Sequence, residues 1–216
     1  MKIACLIPLR LNSKRIKNKN FIRIKKFTLL ELVYNRIVKS KYIDKFYIAS
    51  EKSTKVEKFV KNKMKTYIFS RSKKSSTDNA KTEIVIKEFL KKTECDLIVL
   101  VQITNPFINF KYIDRAINTL SRNKYDSLLS VVKSKNFLWK NIAPTKPINY
   151  NYKNRKMSQK FKSYLIENGS FYIFYKKNFL KYNNRLHGKI GFYEMPKETQ
   201  HEIDEYEDLK IIRKLI

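Results

Sequence analysis

The chain is short of the residues that punctuate or staple a fold. Three glycines and five prolines in 216 residues exclude a low-complexity or disorder-prone composition. The cysteines number two, Cys5 and Cys95. Each falls in a run that reads as a buried strand, so both are expected as small core residues in a reducing cytosol. Neither reads as part of a disulfide or a metal pair. No apolar run reaches the ~18 residues that a membrane span needs. The opening run, Met1 to Leu9, is too short for a signal peptide. A cytoplasmic protein is the expectation. There is no Ser/His/Asp or Cys/His arrangement, so no protein nucleophile is expected. His187 is read as a flexible surface position.

Acidic residues are also scarce: 19 Asp and Glu against 48 Lys and Arg, a formal net charge of +29. Such an excess points first to nucleic acid or another polyanion. The lysines, however, are spread along the chain and form no block or arm. They accompany many Asn, Ile and Tyr, a joint bias that matches A/T-rich coding. Nucleic acid is therefore not the expected partner. Where acids are rare, the acidic stretch Glu202 to Asp208 says more than any group of lysines.

What is present suits one α/β domain with a small appendage. Apolar residues make up 43% and aromatics 13%, enough for a core. Strands are expected at Ile3 to Leu9, Asp44 to Ser50, Thr66 to Phe69, Asp96 to Ile103 and Tyr125 to Val132. Helices follow Thr28, whose spacing to Glu31 is that of a capping box, and cover Glu51 to Lys63, Glu83 to Lys92 and Phe110 to Asn123. The stretch Ser70 to Thr82 reads as a polar connection. Strict alternation with long crossovers predicts a doubly wound, mostly parallel sheet of Rossmann-like form. The run Asp96 to Ile103 is the most apolar and is expected at its centre, between parallel neighbours. The rhythm breaks over about 133–168, an excursion expected to cover the site or pair with a second subunit. A strand at Ser170 to Tyr175, a helix near Lys177 to Tyr182, a strand at Gly188 to Glu194 and a helix from about Glu205 to Leu215 close the chain.

Four stretches carry chemistry. The first, Ile7 to Asn20, leaves the first strand and at once becomes polar and cationic, with Arg10, Lys14 and Lys19 spaced by four and five residues. Open α/β sheets bind ligands at the carboxyl ends of their strands, and loop amides there can cradle phosphate. The second, Ser76 to Thr82, opens a helix; a cap by Asp78 or Asn79 is its plainest reading. The third places Gln102 and Thr104 after the central strand, where an amide can read a pyrimidine edge. The fourth is Glu202-Ile203-Asp204. Its alternation puts both carboxylates on one face, two hard oxygen donors suited to Mg²⁺ if a triphosphate supplies the remaining ligands.

In this order the stretches resemble the sugar-acid cytidylyltransferases, the CMP-N-acylneuraminate synthetases and their relatives. Arg10, Ser13-Lys14 and Lys19-Asn20 match the opening signature, whereas Leu11-Asn12 departs from the usual Gly-Gly or Gln-Asn. Asp78, Ala80 and Thr82 match a nucleotide-contacting segment, with Arg71 where relatives carry an arginine. Gln102, Thr104 and Pro106 match Gln-Pro-Thr-Ser-Pro. Arg155, Gln159, Tyr164 and Asn168-Gly169 match a sugar-holding region, with Met157 and Ser158 where some relatives have arginines.

The resemblance implies a cytidylyltransferase domain over 1–216 that joins CTP to a nonulosonic acid, releasing pyrophosphate. It implies catalytic Arg10, Lys14 and Lys19. It implies nucleotide contacts from Leu9, Asn12, Ser13, Asn20, Arg71, Asp78, Ala80, Thr82, Gln102 and Thr104. It also implies sugar contacts from Gln159, Tyr164, Asn168 and Gly169, Mg²⁺ on Asp204 and Glu202, and a homodimer. Two alternatives stay open. One is the 3-deoxy-manno-octulosonate enzyme, against which the absence of Asp from Ile103-Thr104-Asn105 argues. The other is a basic nucleic-acid-binding protein with a degenerate site.

Overall fold

A computed structural model describes every residue except Asn12, Lys14 and Asp78, and Ser158 in its backbone alone. The elements are β1 (Ile3–Pro8), β2 (Arg23–Ile24), β3 (Phe27–Thr28), α1 (Leu29–Ile37), β4 (Lys45–Ser50), α2 (Thr54–Lys63), β5 (Tyr67–Ser70) and α3 (Lys73–Ser76). They continue with α4 (Thr82–Lys92), β6 (Leu97–Val101), α5 (Phe110–Arg122), β7 (Ser127–Ser134), β8 (Tyr164–Tyr175), α6 (Lys176–Tyr182), β9 (Ile190–Glu194) and α7 (Tyr206–Leu215). Seven strands form one sheet in the order β5-β4-β1-β6-β8-β7-β9, and β2 and β3 make a small separate ribbon.

Local chemistry explains most of the boundaries. Thr28 caps α1 in a reciprocal box with Glu31. α2 begins at Thr54, later than the sequence predicts, because the Ser53 hydroxyl accepts from the Val56 amide. Glu51, expected inside that helix, accepts the Leu11 amide at 3.1 Å instead. The polar connection before α4 contains a helical turn, α3, which Glu88 of α4 holds by accepting from the Ser72 and Ser75 hydroxyls.

The sheet is mostly parallel, as expected, with one exception. β6 lies parallel to β1 but antiparallel to β8. β8 is antiparallel to β7 too, and β9 returns parallel to β7. The central run therefore has only one parallel neighbour. β8 is longer than predicted, reaching back to Tyr164, and β7 runs on to Ser134. A hairpin thus narrows the irregular excursion to residues 135–163. Within that arm Trp139 bridges to Pro147. Cys95 is buried but precedes β6 and lies in no strand; Cys5 is buried within β1.

Two cores flank the sheet. Leu9, Val33, Val99, Ile113 and Ile203 belong to the layer with α1, α5 and α7. Leu6, Phe89, Leu100, Tyr172 and Phe179 belong to the layer with α4 and α6. Both layers pin the carboxyl ends of β1 and β6 side by side, which sets the position of the loops after them.

Candidate active site

A crevice of about 480 Å³ opens at those two strand ends. Its floor is Pro8 and Ile103, and Ile16 closes one side. Arg10, Ser13, Lys19 and Asn20 reach it from the loop after β1. Thr82 reaches it from the start of α4, Gln102 and Thr104 from the end of β6, and Asp204 from the segment before α7. All of these were expected at the site.

The loop after β1 is held by its own polar side chains. Asn20 is buried and donates to the Arg10 carbonyl at 2.7 Å. Arg10 donates to the Ala80 carbonyl at 2.5 Å, so Ala80 serves through its backbone. Lys19 donates to the Ile203 carbonyl at 2.8 Å and pairs with Asp204 at 3.1 Å. Ile203 in turn donates its amide to the Thr104 carbonyl at 2.8 Å. These bonds close a ring from the first strand, through the last acidic segment, back to the central strand.

The acidic segment behaves as its alternation predicts. Ile203 is buried in the core. Glu202 and Asp204 project the other way. Glu202 accepts from the Thr104 hydroxyl at 2.9 Å. Burial, and then the nearby Asp204 carboxylate, raise the Glu202 pKa above the usual carboxylate value. Gly169 makes room for this carboxylate: a Cβ there would lie 2.4 Å from Glu202 Oε1, and its φ is +57°. Gly169 therefore shapes the metal-candidate side of the site through its missing side chain.

A hard cation fits these donors. No three His, Cys, Asp or Glu side chains gather into a metal cluster among the described residues. Two carboxylates facing one crevice, one of them raised by the other, still call for positive charge. Substrate phosphate oxygens can complete such a shell.

Other expected residues lie elsewhere. Leu9 is wholly buried and offers its carbonyl to Arg71 at 3.1 Å. Arg71 also donates to Ser75 and does not line the crevice. Burial, and then neighbouring Arg10, lower its pKa. Asn168 is buried and donates to the Thr199 hydroxyl at 2.9 Å, while Asn105 donates to the Asn168 and Thr199 carbonyls at 2.8 Å each. Gln159 and Tyr164 are on the arm; the Tyr164 hydroxyl donates to the Asn149 carbonyl at 2.8 Å. Asn12, Lys14 and Asp78 lie outside the described residues. The cap on α4 is Lys81, with no side-chain bond, and not Asn79.

Two residues escaped the sequence reading. Arg15 lines the crevice and contacts Asp204 at 3.3 Å and Glu205 at 3.9 Å; among so many basic residues nothing set it apart. His187 is not a flexible surface position. It is 6% exposed, stacks on Tyr182 with ring centroids 5.4 Å apart, and exchanges two backbone–hydroxyl bonds with Ser127. The signal was its place before a glycine at φ +60°, a turn that folds back onto the sheet.

The chain is 31% identical over 94% of its length to N-acylneuraminate cytidylyltransferase A of Danio rerio, covering 48% of that protein. It thus spans about half the length of the first curated relatives it matches. It is 27% identical to the post-translational flagellin modification protein B of Campylobacter coli, over the whole chain and 95% of that protein. A solved CMP:2-keto-3-deoxy-manno-octonic acid synthetase complexed with CTP has the same fold, with TM-score 0.75 and 15% identity, covering 100% of this chain and 98% of that one. A family model described as Cytidylyltransferase matches residues 4–215. With that match spanning both the cationic loop after β1 and the acidic segment before α7, the chain belongs to the cytidylyltransferase family.

Proposed function

We propose that the protein transfers the cytidylyl group of CTP to a nonulosonic acid, giving a CMP-sugar and pyrophosphate. The observation that carries this reading is the meeting of Arg10 and Lys19 with Gln102 and Asp204 in one crevice. Cations, a pyrimidine-reading amide and a metal-competent carboxylate are the groups that a nucleoside triphosphate requires.

In this reading the acceptor's anomeric hydroxyl attacks the α-phosphorus in line, and pyrophosphate departs on the opposite side. Arg10 and Lys19, with Lys14 from the same loop, stabilise negative charge as it grows on the leaving group. Gln102 and Thr82 contact the nucleotide, helped by Ser13, Asn20 and Thr104. Asp204 and Glu202 hold Mg²⁺, which supplies Lewis-acid charge neutralisation when bound. Lys19 keeps Asp204 aimed into the crevice and prevents two bare carboxylates from facing one another.

Gln159 and Tyr164 stand on the arm. We assign them to the acceptor site of a second copy of the chain, so that the working form is a homodimer. Exposed apolar residues on the arm support this reading, Leu138, Trp139, Ile148 and Tyr152 among them. No helix among the described residues is long and apolar enough to cross a membrane; we place the reaction in the cytoplasm.

The test is pyrophosphate release with CTP and Mg²⁺ against N-acetylneuraminate, legionaminate, pseudaminate and 3-deoxy-manno-octulosonate. Release with one nonulosonic acid, lost in Asp204→Ala, is expected. Release with 3-deoxy-manno-octulosonate alone overturns the choice of acceptor. CTP binding without release for any acid overturns the transfer.

A further inference from the structure

Arg185 is held in an unusual way beside the crevice. Its Nε bonds the Glu83 carboxylate at 3.2 Å. Glu83 directly follows Thr82, which lines the crevice. The guanidinium carbon lies 4.6 Å from the centre of the Tyr172 ring, a cation–π stack. Arg185 Nη1 is buried with no hydrogen-bond partner. A guanidinium has five N–H donors in a rigid fork, and Glu83 engages only the Nε side.

The surroundings belong to the sheet beyond the nucleotide's strands. The Gln102 amide donates to the Ser170 carbonyl at 3.1 Å, which makes β8 the next strand across from the crevice. On β8 the Tyr172 hydroxyl donates to Glu167. Tyr172 faces Leu129 of β7, and Leu129 faces Phe192 of β9. Partners across a sheet share a face, so an apolar row runs outward from Tyr172 to Phe192, which is 45% exposed. A ligand reaching from the nucleotide's α-phosphate along this row passes Arg185. A buried donor without an acceptor costs about 1–3 kcal/mol, and a ligand acceptor is what relieves that cost.

We propose that Arg185 reads the carboxylate of the acceptor sugar acid, with the Tyr172–Phe192 row beneath the sugar. This inference rests on the acceptor class argued above. Arg185 is then a specificity residue, contributing a charge-assisted fork that a neutral sugar cannot engage.

The test is calorimetric binding of each acid in the four-member panel to the full chain saturated with CTP and Ca²⁺, beside the methyl ester of the tightest binder. Arg185→Ala is expected to weaken the acid about 30-fold, the range of one hydrogen bond to a charged group. Arg185→Lys should fall between. Both variants should keep CTP affinity within about twofold. The ester should bind the wild-type chain about as poorly as the acid binds Arg185→Ala, and should lose nothing further in the variant. An ester that binds the wild-type chain as tightly as the acid overturns the inference, and so does acid binding unchanged in both variants. Absence of binding by all four acids, with CTP still bound, overturns the acceptor reading and this inference together.

Discussion

The crevice after β1 and β6 and the arm over 135–163 use polar and apolar side chains in opposite ways. In the crevice, charged groups are bonded to backbone far away in sequence: Lys19 to Ile203, Arg10 to Ala80, Asn20 to Arg10. On the arm, aromatics meet near neighbours. Phe137 lies 4.4 Å from Tyr150 and 4.9 Å from Phe161, and Arg155 stacks on Phe137 at 4.3 Å. Trp139 remains 44% and Ile148 58% exposed. The crevice is a polar site whose groups one chain satisfies. The arm carries apolar surface that one chain leaves open, which is the physical basis for assigning it to an interface.

This contrast can be broken from either side. The largest effect is expected for Lys19→Ala, which removes a crevice cation and the partner of Asp204. We expect kcat to fall roughly 10²–10³-fold, measured by pyrophosphate release, with thermal stability little changed. An equal loss from Lys153→Ala, on the exposed arm, would erase the distinction between the two regions. Next comes the arm. Leu138→Glu with Trp139→Glu is expected to weaken dimer association about 100-fold in sedimentation velocity, leaving CTP affinity intact. A protein that is monomeric before mutation defeats the interface reading.

Gly169→Ala tests how tightly the crevice is shaped. Its Cβ collides with Glu202 and its φ is positive, so we expect a loss of about 1–3 kcal/mol in urea unfolding. The smallest effect concerns Glu202 itself. Its folded-state pKa is raised, chiefly by burial. The folded chain therefore holds the proton more tightly than the unfolded chain does. Stability falls as pH rises through the window from the unfolded value to the folded one. Glu202→Gln removes that loss. In metal-free buffer the variant should gain about 1–3 °C in Tm at pH 7 and nothing at pH 3.5, where both states are protonated.

Much of this was legible in the residues. The run LIVLV, buried at every position, could only be a central strand. The alternation in Glu202-Ile203-Asp204 correctly sent Ile203 inward. What failed, failed for tertiary reasons. Strand direction is not encoded in a strand's composition, so the antiparallel entry of β8 beside β6 could not be read from SFYIFY. Asn168 looked like a ligand-binding amide because an Asn-Gly pair marks a turn; only the fold brings Thr199 within reach of it. Arg15 was one basic residue among 48, and its pairing with Asp204 spans most of the chain.

Periodicity and motif order were thus enough to establish the class of fold, the loop that meets phosphate and the acidic pair that meets it from the other end, because these depend on short-range spacing. Which polar groups stay available for chemistry was decided only by the packing of β1, β6, β8 and the segment before α7. A side chain's hydrogen bonds depend on partners that sequence distance does not reveal. Lys19 meets Asp204, Asn168 is held by Thr199, and Arg185 keeps a buried donor open, all because of where the sheet places their neighbours.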